Sequence, residues 1–203
     1  MKAIFLDRDG VINRYPGDTL YVTDWRGFRF LPYAKKAVAE LHKSGFKIFI
    51  ISNQAGVNKG IFSREALNYI NENMLKEIKK SGGEIDGVYY CVHSQEENCS
   101  CRKPKTGLLE LAVKNNNINL RDSFFIGDTI RDVKTARAAG CKSILVLCGR
   151  EKASNRKNWE VQPDFIFRNL YAAAKFIRLR TCRCRGRGSP SGRFNRSGKN
   201  ITQ

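Results

Sequence analysis

The feature that most constrains the fold is a short apolar run, residues 3 to 6, that ends abruptly in two aspartates and a glycine. Four apolar residues without alternation predict a strand buried on both faces, as in the parallel sheets of α/β proteins. Asp7 and Asp9 follow the run directly, and side chains two residues apart in an extended chain share a face. Because Gly10 permits a sharp turn, we expect both carboxylates at the carboxyl end of this strand, where such sheets bind ligands.

Two carboxylates that converge at a strand end repel each other unless a cation lies between them. Mg²⁺ with a phosphate group is the natural occupant, because this ion binds carboxylate, carbonyl and water oxygens together with substrate phosphates. An ordinary aspartate-rich turn is the alternative, and residues 7 to 10 leave both interpretations open when they are taken alone.

The rest of the chain repeats the alternation of strands and helices. Further strands are predicted at residues 48–51, 87–91, 123–126 and 143–147, with an edge strand at 163–167. Helices are predicted after Pro32, from Ser63 to about residue 83, at 107–115, up to Ala139 and at 170–177. This alternation indicates an α/β fold with a parallel sheet flanked by helices, and the turn formers and aromatics of residues 13–30 indicate a flap over the site.

Polar side chains also follow two of the other predicted strands. The hydroxyl of Ser52 and the backbone N–H groups beside it, at Asn53 and Gln54, suit a phosphate group, although an ordinary polar turn gives the same pattern. Asp128 is a further candidate ligand for Mg²⁺. Asp132 lies one helical turn beyond it, either as a partner behind the metal ligands or as an acidic residue that stabilises a helix start.

Four potential metal ligands follow the third predicted strand. They are Cys91, His93, Cys99 and Cys101, which lie within eleven residues of sequence. Three thiolates and one imidazole complete a tetrahedral structural zinc site with no open position for water, whereas buried or chance neighbouring cysteines are the alternative. The residues between the second and third ligands are too polar to pack in a core, so we expect zinc to order this loop. The two cations that directly follow it would then be held in place.

Charge and composition set broader limits. The net charge is +18, and nine of the 37 basic residues lie in residues 175–203, which contain no acid. We expect a folded domain at residues 1–177 and a basic, disordered tail at 178–203. The tail can contact nucleic acid, but we do not expect nucleic-acid binding to be the main function of the protein. No apolar run reaches the roughly 18 to 20 residues of a membrane span, and no signal-peptide pattern follows Met1, so we expect a cytoplasmic protein without membrane contact. We also expect a monomer.

The polar motifs together resemble, in order and context, those of the haloacid-dehalogenase-like phosphohydrolases. The matching residues are Asp7-x-Asp9-Gly10-Val11, Ser52-Asn53-Gln54, Lys103 and Gly127-Asp128-x-x-x-Asp132. The zinc loop and the Arg-Lys-Pro sequence after it are similar to the subgroup that contains the heptose bisphosphate and histidinol phosphate phosphatases. The resemblance covers about residues 1 to 175.

The resemblance implies a capless Rossmann-like domain that binds Mg²⁺ and Zn²⁺ and hydrolyses a phosphorylated small molecule. It implies that Asp7 attacks phosphorus, and that Asp9 acts first as an acid and then as a base. Ser52 and Lys103 would hold the phosphoryl group. The Mg²⁺ ligands would be the carboxylates of Asp7 and Asp128 and the backbone carbonyl of Asp9.

Substrate contacts are implied for residues beside the phosphoryl site and in the flap. They are Asn53, Gln54, Arg102, Arg14 and Tyr21. Residues 60–62 and 87–91 are similar to the heptose enzymes, so the expected reaction is removal of the 7-phosphate of D-glycero-D-manno-heptose 1,7-bisphosphate, in nucleotide-heptose and lipopolysaccharide precursor synthesis. The short spacer before Cys99 is more similar to the histidinol phosphate phosphatases. Val92 and Thr129 depart from the family pattern, which has proline and lysine there.

Two functions other than sugar or histidinol phosphate hydrolysis also stay open. A nucleic-acid 3′-phosphatase would use the same motifs, and the basic chain suits such a substrate. A non-catalytic zinc-containing nucleic-acid-binding protein would use the zinc loop and the arginine-rich tail. Against the second, three acidic clusters at strand ends would repel a nucleic-acid backbone unless Mg²⁺ intervened.

Overall fold

A computed structural model describes residues 1–18 and 20–185 of the chain, with side chains described as far as residue 180. The strands are β1 (Ala3–Leu6), β2 (Lys47–Asn53), β3 (Gly87–Cys91), β4 (Phe124–Gly127), β5 (Lys142–Val146) and β6 (Phe165–Phe167). The helices are α1 (Ala34–Lys43), α2 (Arg64–Lys80), α3 (Gly107–Asn116), α4 (Ile130–Ala139) and α5 (Leu170–Arg185), with short 3₁₀ turns at Leu120–Asp122 and Ala153–Asn158. In this part of the chain no helix is long and apolar enough to cross a membrane.

The six strands form one parallel sheet in the order β3-β2-β1-β4-β5-β6, which confirms the predicted α/β fold. The first strand lies near the centre, with Leu6 paired to Ile50 of β2 on one side and to Ile126 of β4 on the other. The chain passes to one side of β1 for β2 and β3 and then to the other for β4, β5 and β6. The carboxyl end of β1 is therefore the topological switch point, where such sheets bind ligands.

The core consists of two apolar layers, one on each face of the sheet. Ile4 and Leu6 point to the layer covered by α1, α2 and α5, whereas Phe5 points to the layer covered by α3. Phe5 is fully buried between two other rings, with centroids 5.8 Å from Phe49 and 6.4 Å from Phe125. The short first strand is thus held from both faces, and this fixes the position of the aspartates that follow it.

The predicted flap is a loop with little regular secondary structure. Its base is closed by an antiparallel bridge between Asn13 and Phe30. Trp25, Phe28 and Phe30 pack together there, with ring centroids 5.0 to 6.3 Å apart. Because the base is anchored in the core, the intervening residues are held over the carboxyl end of the sheet.

The last helix differs from the prediction, because α5 continues past residue 177 to Arg185. The predicted loss of order at residue 178 is therefore wrong for residues 178–185. Ile177 is buried in the core, and the guanidinium of Arg180 lies over the rings of Phe165 and Phe176, at 5.0 and 4.7 Å from their centroids. These contacts extend the helix beyond the apolar pattern from which its end was predicted. The remainder of the predicted tail, 186–203, lies outside the described residues, and the domain boundary stays a prediction.

We expect Phe5→Ala to lower the free energy of unfolding by about 3 to 5 kcal/mol, because a large buried ring is replaced by a cavity. Tyr69→Ala is the matched control, since the side chain of Tyr69 is 58% exposed and its loss should cost less than about 0.5 kcal/mol. Urea unfolding followed by circular dichroism measures both values. An equal loss in the free energy of unfolding for the two variants would contradict the prediction that the buried ring of Phe5 stabilises the core.

Candidate active site

The carboxyl ends of the central strands bring the predicted site residues together in one cavity. Asp7 follows β1, Ser52 lies near the end of β2 and Asp128 follows β4. Lys103 joins them from the loop between β3 and α3. The cavity is therefore built from side chains that are far apart in sequence, as the parallel topology requires.

Lys103 is the cation at the centre of this cavity. Its ammonium group lies 2.9 Å from Oδ2 of Asp7 and 2.6 Å from Oδ1 of Asp132, and its side chain is buried. Burial alone would lower the pKa of Lys103, but the carboxylates of Asp132 and Asp7 outweigh burial and raise it. The lysine therefore remains charged, and it neutralises part of the acidic cluster.

The side chain of Asn53 fixes the backbone from which Lys103 projects. Its amide oxygen accepts a hydrogen bond from the N–H of Lys103 at 3.1 Å, and its amide nitrogen donates to the carbonyl of the same residue at 3.2 Å. Asn53 also lines the cavity. The structure thus gives this residue a positioning contact in addition to the substrate contact predicted for it.

Asp132 has the helix-start role that the sequence left open, whereas its role behind the metal ligands stays a prediction. Its Oδ2 accepts hydrogen bonds from the N–H and the hydroxyl of Thr129, at 3.1 and 2.6 Å, in a capping box that begins α4. Its Oδ1 faces Lys103. Gly127 leaves room for this side chain, because a Cβ atom there would lie 2.2 Å from the Cβ of Asp132.

The carboxylates of Asp7 and Asp128 fit the predicted Mg²⁺ site. Their oxygens lie within 4.8 Å of each other and of an oxygen of Asp132. Burial, followed by repulsion from Asp7 and Asp132, raises the pKa of Asp128 well above its ordinary value, and burial also raises the pKa of Asp7 despite the neighbouring lysine. Buried carboxylates that repel one another are stabilised by a divalent cation, and an all-oxygen ligand set suits Mg²⁺.

Two glycines make room for Asp128. A Cβ atom at Gly10 would lie 2.0 Å from Oδ2 of Asp128, and one at Gly149 would lie 2.1 Å from the same atom. The backbone N–H of Arg150 donates a hydrogen bond of 2.7 Å to this oxygen. The carboxylate is therefore fixed by close backbone approach from two sides.

The carboxylate of Asp9 lies outside the metal group and has other partners. It accepts hydrogen bonds from the side chains of Arg8, Asn13 and Gln54. The predicted contact of its backbone carbonyl with Mg²⁺ stays a prediction. Of these partners Asn13 and Arg8 were missed by the sequence analysis, although an arginine between two aspartates that share one face of the chain must point the other way, into the protein.

Two predicted substrate contacts are placed away from the cavity surface. Gln54 is buried behind the wall, where it bonds to Asp9 and Ser52. Arg14 is exposed on the flap, and its backbone N–H donates to the carbonyl of Arg29. Neither is among the residues that line the cavity, whereas Tyr21 is.

Four cations besides Lys103 line the same cavity. They are Lys59, Arg102, Arg131 and Arg150. Arg102 was predicted, and its guanidinium donates to the carbonyl of His93 at 2.9 Å, so the zinc loop holds it. Arg150 lies 2.8 Å from Asp18 of the flap. Lys59, Arg131 and Arg150 were not predicted. Each follows a strand end or lies at the start of a helix, which was the only signal that the sequence offered for them.

The four predicted zinc ligands converge in the loop after β3. The sulfurs of Cys91, Cys99 and Cys101 lie 3.3 to 3.6 Å apart, and Nδ1 of His93 lies 3.2 Å from Cys101 and 3.7 Å from Cys91. A tetrahedral zinc ion with bonds of about 2.3 Å separates its sulfur ligands by about 3.8 Å, so a modest expansion accommodates the ion. The donor set therefore fits a structural zinc site.

We expect Cys99→Ser to lower the zinc content of the purified protein from about one ion per chain to a small fraction, because a thiolate ligand is lost. The loop that carries Arg102 and Lys103 should then lose order, which weakens substrate binding. Elemental analysis and the KM for a phosphate ester measure these effects. Cys141→Ser is the matched control, since this buried cysteine lies outside the cluster. Fully active wild-type protein without zinc would contradict the prediction.

Comparison with known proteins agrees with this geometry. Residues 100–173 match the HAD-hydrolase-like family model. The D-glycero-β-D-manno-heptose-1,7-bisphosphate 7-phosphatase of Neisseria meningitidis serogroup A is 32% identical over 181 residues, which cover 87% of this chain and 95% of that protein. The enzyme of the same name from Helicobacter pylori strain J99 is 40% identical over 154 residues, which cover 72% of this chain and 83% of the relative.

A solved structure gives the same relationship. The D,D-heptose 1,7-bisphosphate phosphatase of B. bronchiseptica, complexed with magnesium and phosphate, superposes with a TM-score of 0.83 at 28% identity, and the match covers 89% of this chain and 99% of that one. The solved structure therefore has the same fold as this chain. The chain belongs to the haloacid-dehalogenase-like hydrolases, in the family of the D-glycero-β-D-manno-heptose-1,7-bisphosphate 7-phosphatases.

Proposed function

We propose that the protein is a Mg²⁺-dependent phosphatase that removes the 7-phosphate of D-glycero-β-D-manno-heptose 1,7-bisphosphate through a phosphorylated aspartate. One observation supports the reaction above the others: an oxygen of Asp7 lies 2.9 Å from the ammonium of Lys103 and within 4.8 Å of an oxygen of Asp128. A nucleophile, a charge-neutralising cation and a metal ligand would thus lie together at the carboxyl edge of the sheet.

In the first step an oxygen of Asp7 attacks phosphorus, and the bond between phosphorus and the sugar oxygen breaks. Lys103 and the hydroxyl of Ser52 bind phosphoryl oxygens, where negative charge is greatest in the transition state. Mg²⁺, when bound by Asp7 and Asp128, supplies further charge neutralisation. Asp9 gives a proton to the departing sugar oxygen, which would otherwise leave as a strongly basic alkoxide.

In the second step water attacks the phosphorus of phosphorylated Asp7. Asp9 is now a carboxylate and takes a proton from this water, and the bond between phosphorus and Asp7 breaks. Inorganic phosphate leaves, and both aspartates return to their starting states. The two steps share Lys103 and Ser52, so one set of side chains serves both.

The substrate class is supported by the other cations that line the cavity. Lys59, Arg102, Arg131 and Arg150 exceed the charge that a single transferred phosphate requires, and they suit a second phosphate on the same substrate. Histidinol phosphate, the main alternative, carries a protonated amine, which these cations would repel. A sugar bisphosphate therefore fits the cavity better than a singly phosphorylated amine.

The proposal also includes the expected cellular setting, a monomeric enzyme in the cytoplasm. The cysteines at positions 91, 99, 101, 141 and 148 are free, and a zinc site with three thiolates is suited to a reducing compartment. Nucleic acid has no part in this reaction, and any contact with the basic tail would be secondary.

The substrate is tested by Mg²⁺-dependent release of inorganic phosphate from three compounds. They are D-glycero-β-D-manno-heptose 1,7-bisphosphate, histidinol phosphate and a 3′-phosphorylated oligonucleotide. We expect kcat/KM to be highest for the bisphosphate by at least about tenfold, because a hydrogen bond to a charged group contributes about 1.5 to 3 kcal/mol. Preference for either other compound would overturn the proposed substrate and leave the phosphatase chemistry standing.

The mechanism is tested by converting each of the two aspartates to its amide. Asp7→Asn should abolish the phosphorylated enzyme and leave turnover near background, because the nucleophile is lost. Asp9→Asn should slow turnover by about 10² to 10⁴, because proton transfer is lost while the nucleophile remains. The Asp9→Asn variant is mixed with an aryl phosphate, quenched rapidly and digested. Mass spectrometry of the peptide that contains Asp7 should then detect phosphate on Asp7.

Substantial Mg²⁺-dependent turnover by Asp7→Asn would exclude the covalent mechanism. Direct attack by water would then have to replace it. Lys134→Ala is the matched surface control, because its ammonium pairs only with Glu160 among the described residues and lies outside the cavity.

A further inference from the structure

The arginine between the two catalytic aspartates is completely buried. Arg8 has 0% exposure and is the largest fully buried side chain in the described part of the protein. An arginine is almost never buried without strong compensation, because the loss of hydration of its charge is costly. The reaction described above gives this residue no role.

The guanidinium of Arg8 binds the carboxylate of Asp9. Nε and Nη2 lie 3.2 and 3.1 Å from Oδ1, and Nη2 lies 3.0 Å from Oδ2. The side-chain amides of Asn13 and Gln54 each donate a further hydrogen bond of 2.8 Å, to Oδ1 and Oδ2 respectively. Three residues thus hold this carboxyl group from the protein interior, while the side chain of Asp9 stays 21% exposed and lines the cavity. The rotation of this carboxyl group is therefore fixed.

Gln54 links Asp9 to the phosphoryl site. Its amide nitrogen donates to Oδ2 of Asp9 and also to the hydroxyl oxygen of Ser52 at 3.2 Å, while its amide oxygen accepts from Nη2 of Arg8 at 3.0 Å. The opposite amide orientation would place its oxygen against the carboxylate of Asp9 and its nitrogen against the guanidinium. Ser52 and Asp7 in turn line the same cavity. A set of contacts thus joins the acid to Ser52, which lies beside the nucleophile in the cavity wall.

The arginine is itself held in place from behind. Its guanidinium lies over the ring of Tyr90, 5.8 Å from the centroid, and the hydroxyl of Tyr90 donates to Asn71 of α2 at 3.2 Å. Burial alone would lower the pKa of Arg8, but the negative charge of Asp9 outweighs burial and raises it. Arg8 is therefore a fixed cation that cannot turn toward the cavity without breaking several contacts.

We propose that Arg8 and Gln54 are positioning residues for the proton transfers of this phosphatase, and that neither contacts the substrate. They hold the carboxyl group of Asp9 in one orientation relative to Ser52 and Asp7. The group can then give its proton to the sugar oxygen as the phosphorus–oxygen bond breaks, and take a proton from water when phosphorylated Asp7 is hydrolysed. The inference rests on the proposed phosphatase reaction, but it does not depend on which sugar phosphate is used.

Two substrates with different leaving groups distinguish a positioning role of Arg8 and Gln54 from a purely structural role. A sugar alkoxide needs the proton of Asp9, whereas p-nitrophenolate leaves without protonation. The ratio kcat/KM reports the first step only, because that step releases the alcohol. If Arg8 and Gln54 act through Asp9, their loss should slow the sugar phosphate selectively. A general disturbance of the site should slow both substrates equally.

The first variant is Arg8→Lys, which keeps the positive charge but loses the bidentate contact with Asp9. The second is Gln54→Leu, which removes the side-chain amide. For the sugar phosphate we expect kcat/KM to fall by about 10² or more. For p-nitrophenyl phosphate we expect kcat/KM to stay close to the wild-type value while kcat falls, so that a burst of p-nitrophenol precedes slow turnover. Gln162→Leu is the matched control, because Gln162 is exposed and lies outside the cavity.

Equal losses of kcat/KM for the two substrates, or no loss for the sugar phosphate, would overturn the positioning role. If Arg8→Lys fails to fold, as judged by circular dichroism, the result for Gln54→Leu decides. If the wild-type protein does not hydrolyse the heptose bisphosphate, the proposed substrate fails, and the same comparison is made with any sugar phosphate that it does hydrolyse. A failed substrate and a failed positioning role are therefore distinguishable.

Discussion

The contact between Lys103 and two carboxylates is the interaction on which the site depends. Two strand ends and the start of α4 bring Asp7, Asp128 and Asp132 together, and burial with mutual repulsion disfavours the charged forms of Asp7 and Asp128. A buried ammonium 2.9 Å from one and 2.6 Å from another offsets much of that cost. Without this cation the acidic cluster would take up protons, and a protonated aspartate is a poor nucleophile and a poor metal ligand.

Lys103 comes from a loop, and the structure compensates for this with two separate supports. Asn53 binds the lysine backbone from the end of β2, and the cluster of cysteines and histidine fixes the segment that precedes it. The zinc site therefore influences the chemistry without joining it. The same logic applies on the other side of the nucleophile, where Arg8 and Gln54 hold Asp9. Each reactive side chain has a second layer of residues that determines its orientation.

The fold and the convergence of Asp7, Ser52 and Asp128 could be predicted because their signals are local. Apolar strands that end in polar residues predict the sheet and its binding edge, and Cys91 and Cys101 belong to a ligand pattern within one loop. The orientation of Gln54 could not be predicted, because it depends on an arginine 46 positions away in sequence. Arg131 and Arg150 carry no motif, and only the assembled sheet shows that they line the cavity. The end of α5 was predicted too early, because aromatic rings from β6 and from α5 itself support Arg180 beyond the predicted end at residue 177.

The absence of side chains at Gly10, Gly127 and Gly149 bears on how such an enzyme can evolve. At each position a single added carbon would lie 2.0 to 2.2 Å from an atom of Asp128 or Asp132, so almost any substitution displaces a carboxylate that lines the cavity. Very few amino-acid substitutions are therefore acceptable at the phosphoryl end of the cavity. At Gly17 of the flap, the nearest atom to an added carbon would be 3.3 Å away, in the side chain of Leu20. Divergence toward new phosphorylated compounds should accumulate in the flap and the arginines while the chemical centre stays the same.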